Sequence, residues 1–131
     1  MKKLSILVIA LCMTCGSASA QQALFGGQMP QSPEIHADKT VTFRCMAPGA
    51  QKVQITGDFL PTRKINTPMG KYDAPGVADL TKDEKGVWSY TTTSPLSPEL
   101  YSYTMMVDGA SVTDHLNVYT VRDIANVSNY F

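Results

Sequence analysis

Short segments of alternating apolar and polar residues constrain the fold of this 131-residue chain most strongly. In residues 40–46, TVTFRCM, the apolar Val41, Phe43 and Cys45 alternate with two threonines and an arginine. A period of two is typical of a β-strand with one buried face. Beyond residue 20 no segment keeps the 3.6-residue period of an amphipathic helix for more than one turn. The sequence therefore predicts an all-β domain.

Seven such segments follow one another, separated by turn residues. They are residues 40–46, 52–56, 78–81, 87–92, 100–107, 110–113 and 127–131. Asp108-Gly109 is a strong two-residue hairpin signal, and the charged turn at 82–86 predicts a hairpin between its two flanking segments. About seven short strands indicate an immunoglobulin-like β-sandwich. The cysteine and tryptophan spacing of antibody domains is absent, so this step depends on strand count alone.

The first twenty residues have the features of a secretory signal peptide. Lys2 and Lys3 precede an apolar run over residues 4–13, and Ala-Ser-Ala at 18–20 supplies a cleavage site. The apolar run is too short to span a bilayer as a helix, which takes about twenty residues. The sequence therefore predicts a secreted protein, periplasmic or extracellular. The alternative is lipoprotein processing at Cys15.

Removal of this leader sets the domain organisation. Residues 1–20 are the predicted signal peptide, residues 21–32 an N-terminal arm without a periodic pattern, and residues 33–131 one domain. About a hundred residues suffice for a single hydrophobic core. Cleavage also removes Cys12 and Cys15, so the mature chain keeps one cysteine and forms no internal disulfide.

Charge excludes one class of partner. Cleavage removes two lysines, which leaves nine basic residues against eleven acidic ones in the mature chain. Proteins that bind nucleic acid usually carry a clear excess of positive charge. We therefore expect no nucleic-acid partner.

The mature chain lacks the motifs of an enzyme. No G-x-S-x-G motif is present to place a serine on a strand–helix turn. His36 and His115 are interpreted as ordinary surface or turn residues, since neither follows a candidate catalytic serine motif. A zinc site at Asp114-His115 is not expected, because no second histidine or cysteine stands at metal-ligand spacing. Cys45 is expected to be a buried, unreactive thiol, and Trp88 a packing residue rather than a sugar contact. We predict no catalytic residue, no metal and no cofactor.

Four motifs in order resemble a known module. They are VTFRCMAPGAQKVQITGDF at 41–59, DEKGVWSY at 83–90, PELYSYTMMVDG at 98–109 and TDHLNVY at 113–119. Together they resemble the early-set, immunoglobulin-like module related to glycogen-binding domains and family 48 carbohydrate-binding modules, over roughly residues 33–131. The resemblance implies an early-set immunoglobulin-like sandwich.

Further motifs resemble one branch of that superfamily. QALFGG at 22–27, TPMG at 67–70, YDAPGV at 72–77 and VYTVRD at 118–123 are similar to the N-terminal module of secreted bacterial esterases. Those proteins are related to enterochelin esterases and to family 1 carbohydrate esterases, which remove feruloyl or acetyl groups from xylan. The resemblance implies an α/β-hydrolase esterase domain as partner in cis. Because this chain stops inside an apolar strand, we expect a fragment, a premature stop or a split gene.

The sugar-binding positions of the glycogen-binding relatives are changed here. Those relatives carry one tryptophan after the GDF-like turn, another after the VDG-like turn and a lysine on the strand that precedes the second turn. By resemblance, the equivalent positions hold Thr62, Ser111 and Thr104. Inherited starch or glycogen binding is therefore not expected. Any polysaccharide partner would require a different face.

Residues 57–77 have no periodic apolar pattern and are predicted to form a long loop, which in compact domains is usually functional or disordered. Its candidate partner- or substrate-facing residues are Phe59, Pro61, Arg63, Lys64, Tyr72 and Asp73. The resemblance implies that this loop lies against the catalytic domain and helps to shape its substrate cleft. The alternative is a solvated loop without structure.

Three functions follow in order of preference. The first is a non-catalytic accessory module that docks onto the absent esterase domain of a carbohydrate esterase. The second is an independent carbohydrate-binding module for plant or storage polysaccharide. The third, a hydrolase in its own right, is disfavoured by the missing motif.

Overall fold

The computed structural model describes residues 29–131, and every regular element in that range is a β-strand. The strands are β1 (Glu34–Ile35), β2 (Val41–Met46), β3 (Val53–Gly57), β4 (Arg63–Thr67), β5 (Gly70–Ala74), β6 (Gly76–Asp79), β7 (Thr81–Lys82), β8 (Val87–Thr91), β9 (Ser102–Val107), β10 (Ala110–Val112), β11 (Thr120–Arg122) and β12 (Val127–Tyr130). The predicted leader and most of the predicted arm lie outside the described residues. Within the described part of the chain there is no helix that could span a membrane.

Two antiparallel sheets form the layers of the sandwich. One has the strand order β1-β2-β8-β7, and the other runs β11-β12-β9-β3-β6 with β10 paired to β9. Alternate side chains of the central strands point into one core. The core consists of Val41, Phe43, Cys45, Ala50, Val53, Ile55, Leu60, Leu80, Trp88, Tyr103 and Met105. The predicted all-β, immunoglobulin-like sandwich is confirmed.

An aromatic cluster joins the two sheets. The ring of Phe43 on β2 stacks on Phe59 at a centroid distance of 5.0 Å. It meets Tyr103 of β9 edge-on at 4.9 Å and Phe131 edge-on at 5.2 Å. Such aromatic pairs add about 0.5–1.5 kcal/mol each beyond the area they bury. Phe43, which is fully buried, is therefore the central contact between the layers.

The prediction of a long loop over residues 57–77 is wrong. Most of this segment forms a separate two-stranded antiparallel sheet, in which β4 pairs with β5. Thr67 lies opposite Gly70, so Pro68 and Met69 form a two-residue turn, and proline is favoured at the first of these positions. The unstructured alternative is wrong as well. Periodicity is missing because both faces of this ribbon are largely exposed, and Ala74 is its only buried residue.

The predicted strand at 78–81 is divided between the two sheets. β6 pairs with β3 in one sheet, whereas β7 pairs with β8 in the other. Leu80 lies at the crossing, buried in the core, and its backbone N–H donates to the carbonyl of Val53 at 2.9 Å. The expected hairpin around residues 82–86 is thus confirmed for β7 and β8 only. The sequence also does not predict β1 or β11.

A buried polar network holds the segment after β10 against the sheet. The carboxyl group of Asp114 accepts hydrogen bonds from Ser32 Oγ at 2.6 Å and Tyr103 Oη at 2.9 Å. The amide of Asn129 on β12 accepts from the N–H of Asp114 at 2.6 Å and donates to the carbonyls of Asp114 and Asn117, both at 3.1 Å. Ser32, the last residue of the predicted arm, is therefore fixed to the sandwich. Asp114 acts here as a structural residue.

Candidate functional site

The structure brings two of the three changed sugar-binding positions into one groove. Thr104 of β9 and Ser111 of β10 both line an open groove of about 730 Å³ on the sheet that contains β3, β9 and β12. The lining residues are Thr56, Thr104, Ser111, Val112, Thr113, Asp123, Ala125, Asn126, Val127 and Ser128. Thr62, the third position, precedes β4 and is not among them.

A row of three hydroxyl groups crosses the floor of the groove. Thr56 of β3 lies directly opposite Thr104 of β9. On the other side of Thr104, its Oγ1 donates to Ser128 Oγ of β12 at 3.3 Å. Because residues paired across neighbouring strands share a face, the three hydroxyls point out of the sheet together. We call this row, Thr56, Thr104 and Ser128, the hydroxyl row.

The wall on the β10 side is positioned by the predicted hairpin at residues 108 and 109. Asp108 and Gly109 have φ values of 48° and 87°, as the tightest two-residue hairpin turns require. Asp108 Oδ1 also accepts hydrogen bonds from the N–H groups of Gln51 at 2.9 Å and Lys52 at 2.8 Å. This turn therefore fixes the position of Ser111 beside the groove.

The opposite wall carries a carboxylate. Asp123 follows β11, and its Oδ1 accepts hydrogen bonds from the N–H groups of Ala125 at 2.8 Å and Asn126 at 2.6 Å. These two bonds, in that order of importance, lower the pKa of Asp123. The groove thus offers donors and acceptors of the kind that recognise sugar hydroxyls, and none of residues 29–131 adds an aromatic ring to its lining.

The predicted loop residues are separated by the structure. Arg63 and Lys64 lie on β4, and Tyr72 and Asp73 lie on β5, all exposed. Pro61 is exposed before the ribbon, whereas Phe59 is partly buried and packs against the core through Phe43. Four of the six candidates are therefore available on one ribbon, and Phe59 contributes chiefly to stability.

Two residues that invited a functional interpretation are structural. Cys45 is 6% exposed, and burial, with a smaller contribution from Asp114, raises the pKa of its thiol. Trp88 is 8% exposed and donates its Nε1–H to the carbonyl of Ala47 at 2.8 Å. Both predictions of packing roles are confirmed. Within residues 29–131 no group of three or more His, Cys, Asp or Glu side chains is arranged to hold a metal.

A second surface is apolar. Ile35, Leu100, Val118 and Tyr119 are all more than half exposed. Two of the adjacent grooves, of about 250 and 430 Å³, share Ile35 and Phe131 in their lining. We call Ile35, Val118, Tyr119 and Phe131, which line these two grooves, the apolar rim. Contiguous exposed apolar residues of this kind mark interaction surfaces.

Comparison with known proteins identifies the module. The family model described as carbohydrate-binding module 48 (isoamylase N-terminal domain) matches residues 27–120. No curated protein matches the chain by sequence. Among solved structures, the pullulanase SAP of Group B Streptococcus matches with 15% identity over 79% of this chain and a TM-score of 0.54. The same pullulanase in complex with maltotetraose matches with a TM-score of 0.53, again at 15% identity over 79% of this chain.

These matches support the fold and not the esterase branch. This chain spans about 14% of the length of either pullulanase chain. The matched structures are pullulanases, so the expected affiliation with esterases, and an esterase domain as partner, receive no support from them. The part of the chain that the structure describes also contains no helix, and so no α/β-hydrolase domain.

Proposed function

Because this chain belongs to the carbohydrate-binding module 48 family, we propose that it is a non-catalytic module that binds polysaccharide through the groove beside β10. The observation that carries the proposal is the meeting of Thr104 and Ser111, two of the three positions that resemblance assigns to sugar contact, in one groove crossed by the hydroxyl row. A carbohydrate-binding module is the second function expected from the sequence, although the sequence analysis expects a face other than the one that holds Thr104 and Ser111. The family match favours it over the accessory role.

The chemistry of the groove sets the expected strength of binding. Hydroxyl groups that exchange water for sugar hydroxyls gain only about 0.5–1.5 kcal/mol per hydrogen bond. An aromatic platform would add a comparable amount by stacking on the apolar face of a sugar, and the part of the chain that the structure describes supplies none to this groove. We therefore expect weak binding of extended polysaccharide chains, which contact several hydroxyls at once.

A gain of binding is the sharpest test. Ser111→Trp replaces a small exposed residue at the groove wall by the aromatic ring that glycogen-binding relatives carry there. We expect starch granules to retain this variant about fivefold more strongly than the unaltered chain, the equivalent of one stacked ring. Thr81→Trp, at an exposed position on β7 of the other sheet, is the matched control and should leave retention unchanged.

Loss of binding provides the complementary test. Thr104→Val removes the central hydroxyl of the row, and Thr81→Val makes the same change outside it. Sedimentation with starch, glycogen, xylan and cellulose should show a weaker interaction for the first variant alone. If neither Thr104→Val nor Ser111→Trp alters binding to any of these polymers, the groove is not the sugar site.

The accessory role expected from the sequence is the second candidate, and the apolar rim is the observation in its favour. An exposed apolar surface of this kind suits docking against a catalytic domain. The identity of that domain as an esterase is a prediction from the resemblance alone. The intact mass of the native protein, detected with an antibody to this module, tests the role. A mass much larger than that of residues 21–131 favours docking to a catalytic domain. A mass equal to that of residues 21–131 favours a free binding module.

We also propose that the protein is exported, since residues 1–20 carry the pattern of a cleaved leader. The same mass measurement tests this step. A native chain that begins at Gln21 supports cleavage by signal peptidase. A lipid-modified Cys15 at the N-terminus would favour the lipoprotein alternative, and an uncleaved Met1 would contradict both.

A further inference from the structure

The ribbon formed by β4 and β5 concentrates positive charge in a chain whose charges balance overall. Arg63, Lys64 and Lys71 are exposed on it, and Asp73 is its only acidic residue. Its Oδ1 atom lies 3.5 Å from Lys64 Nζ, so these two residues form an ion pair. Among residues 29–131, neither Arg63 nor Lys71 takes part in an ion pair. Two cations of the ribbon thus remain available for an external anion.

One face of the ribbon combines a cation with an aromatic ring. Ile65 is paired with Tyr72, and Arg63 is paired with Ala74. Alternation along each strand therefore places Arg63 and Tyr72 on the same face as diagonal neighbours, a relation that corresponds to about 7–8 Å between backbones and is within reach of long side chains. Tyr72 is 53% exposed. Its ring is open to a ligand on the face that also carries Arg63.

We propose that this face of the ribbon binds an anionic polysaccharide, one uronic-acid unit stacking on Tyr72 while its carboxylate pairs with Arg63. An aromatic ring covers the apolar face of a sugar ring, and a guanidinium group binds a carboxylate with two parallel hydrogen bonds. A neutral glucan would gain nothing from the charge. The positive ribbon therefore selects the acidic class of polysaccharide.

The location of the ribbon connects it with the groove. The ribbon leaves the sheet after Gly57 and returns at Gly76, and these two glycines are paired. Thr56, the neighbour of Gly57, lines the groove and donates its hydroxyl to the carbonyl of Gly76 at 2.9 Å. The base of the ribbon thus lies beside the groove. The inference rests on the proposed function in that it requires a polysaccharide ligand, but it uses none of the residues that line the groove.

Titration calorimetry of the full secreted chain with polygalacturonate and with neutral xylan tests the inference. We expect tighter binding of polygalacturonate, weakened by added salt because exposed charges are screened. Arg63→Gln should weaken it about tenfold, as loss of a hydrogen-bonded charge pair implies. Tyr72→Thr, which keeps a good strand residue, should weaken it roughly fivefold. The control Lys85→Gln removes an exposed cation elsewhere on the surface and should have no effect.

The outcomes separate this inference from the proposed function. Equal affinity for both polymers, or full binding by Arg63→Gln and Tyr72→Thr, would overturn the ribbon site while leaving the groove intact. Loss of polygalacturonate binding in the ribbon variants, with no effect of Thr104→Val on any polymer, would support the ribbon and reject the groove. An oligonucleotide of equal charge that binds as tightly as polygalacturonate would show that the ribbon recognises charge alone, and would overturn its assignment to acidic sugars.

Discussion

Replacement of Asn129 by aspartate should strongly destabilise the domain. Asn129 lies on β12 with 0% exposure. Its amide nitrogen donates to the carbonyls of Asp114 and Asn117 at 3.1 Å and of Tyr119 at 3.4 Å. Asn129→Asp keeps the shape of the side chain, but it turns the donor into an oxygen that faces three carbonyl oxygens.

The expected magnitude follows from these contacts. Hydrogen bonds contribute about 1 kcal/mol each on balance, and an unmet buried partner costs about 1–3 kcal/mol. Loss of the donor to three carbonyls therefore costs about 4 kcal/mol, before any cost of burying a charge. Because domains are stable by only about 5–15 kcal/mol in total, this variant should lie close to unfolding at physiological temperature.

Urea unfolding followed by the fluorescence of Trp88, the only tryptophan, measures the effect. With a slope of about 2 kcal/mol per molar urea, the midpoint should fall by about 2 M. Burial among carbonyl oxygens raises the pKa of the new carboxyl in the folded state, so the variant should lose further stability as the pH rises from about 4 to 7. Asn66→Asp, the same change at an exposed ribbon position, is the control. A midpoint shift for Asn129→Asp no larger than that of the control would refute the reasoning.

Three further predictions concern packing and ionisation. Gly76→Ala should lower the free energy of unfolding in urea by about 1–3 kcal/mol, the usual effect of overpacking, because the added methyl group would lie 2.6 Å from Leu60 Cβ. The control Gly49→Ala, which has open space around the added methyl group, should lower it less. The Cys45 thiol, whose pKa is raised chiefly by burial, should react with a thiol reagent only after unfolding, and rapid reaction in the native state would contradict its burial. Burial is also the main cause of the raised pKa of Tyr103, so the native state keeps a proton that the unfolded state loses. Stability should therefore fall as the pH rises above about 10, whereas full ionisation of all six tyrosines near that pH without unfolding would refute this.

The sequence predicts the strands that have one buried face. In β2, β3 and β9 the apolar residues alternate with polar ones, and the buried positions of the structure follow that alternation closely. An apolar period of two in the sequence indicates that one face of a strand is buried, and it does not indicate whether the strand is hydrogen-bonded to another. For the same reason it is absent from β4 and β5, which pair with each other but cover no core. The turn at Thr67-Pro68-Met69-Gly70 is the local signal that indicates the ribbon.

The groove could not be predicted from any one segment. Thr56, Thr104 and Ser128 are separated by more than twenty residues from one another, and each is an ordinary polar position of its own strand. They meet because β9 lies between β3 and β12, a strand order that a single sequence does not reveal. Resemblance identified Thr104 and Ser111 as the equivalents of sugar-binding positions in glycogen-binding relatives. The same resemblance suggested that their polar side chains argue against inherited starch or glycogen binding.

The ribbon and the groove are mechanically connected through the end of β3. Thr56 contributes its hydroxyl both to the groove lining and to the carbonyl of Gly76, where the ribbon rejoins the sheet. Just beyond β3, Leu60 is buried and Phe59 packs on Phe43, so the base of the ribbon is held by the core. Because packed cores deform little, a ligand that contacts both surfaces would bind to a preformed arrangement and would lose little affinity to ordering. The exposed outer part of the ribbon lacks this support, since an isolated two-stranded hairpin is marginally stable in water. Arg63, near the base, should therefore be held more firmly than Met69 at the tip, which suits a residue that must fix the position of a carboxylate.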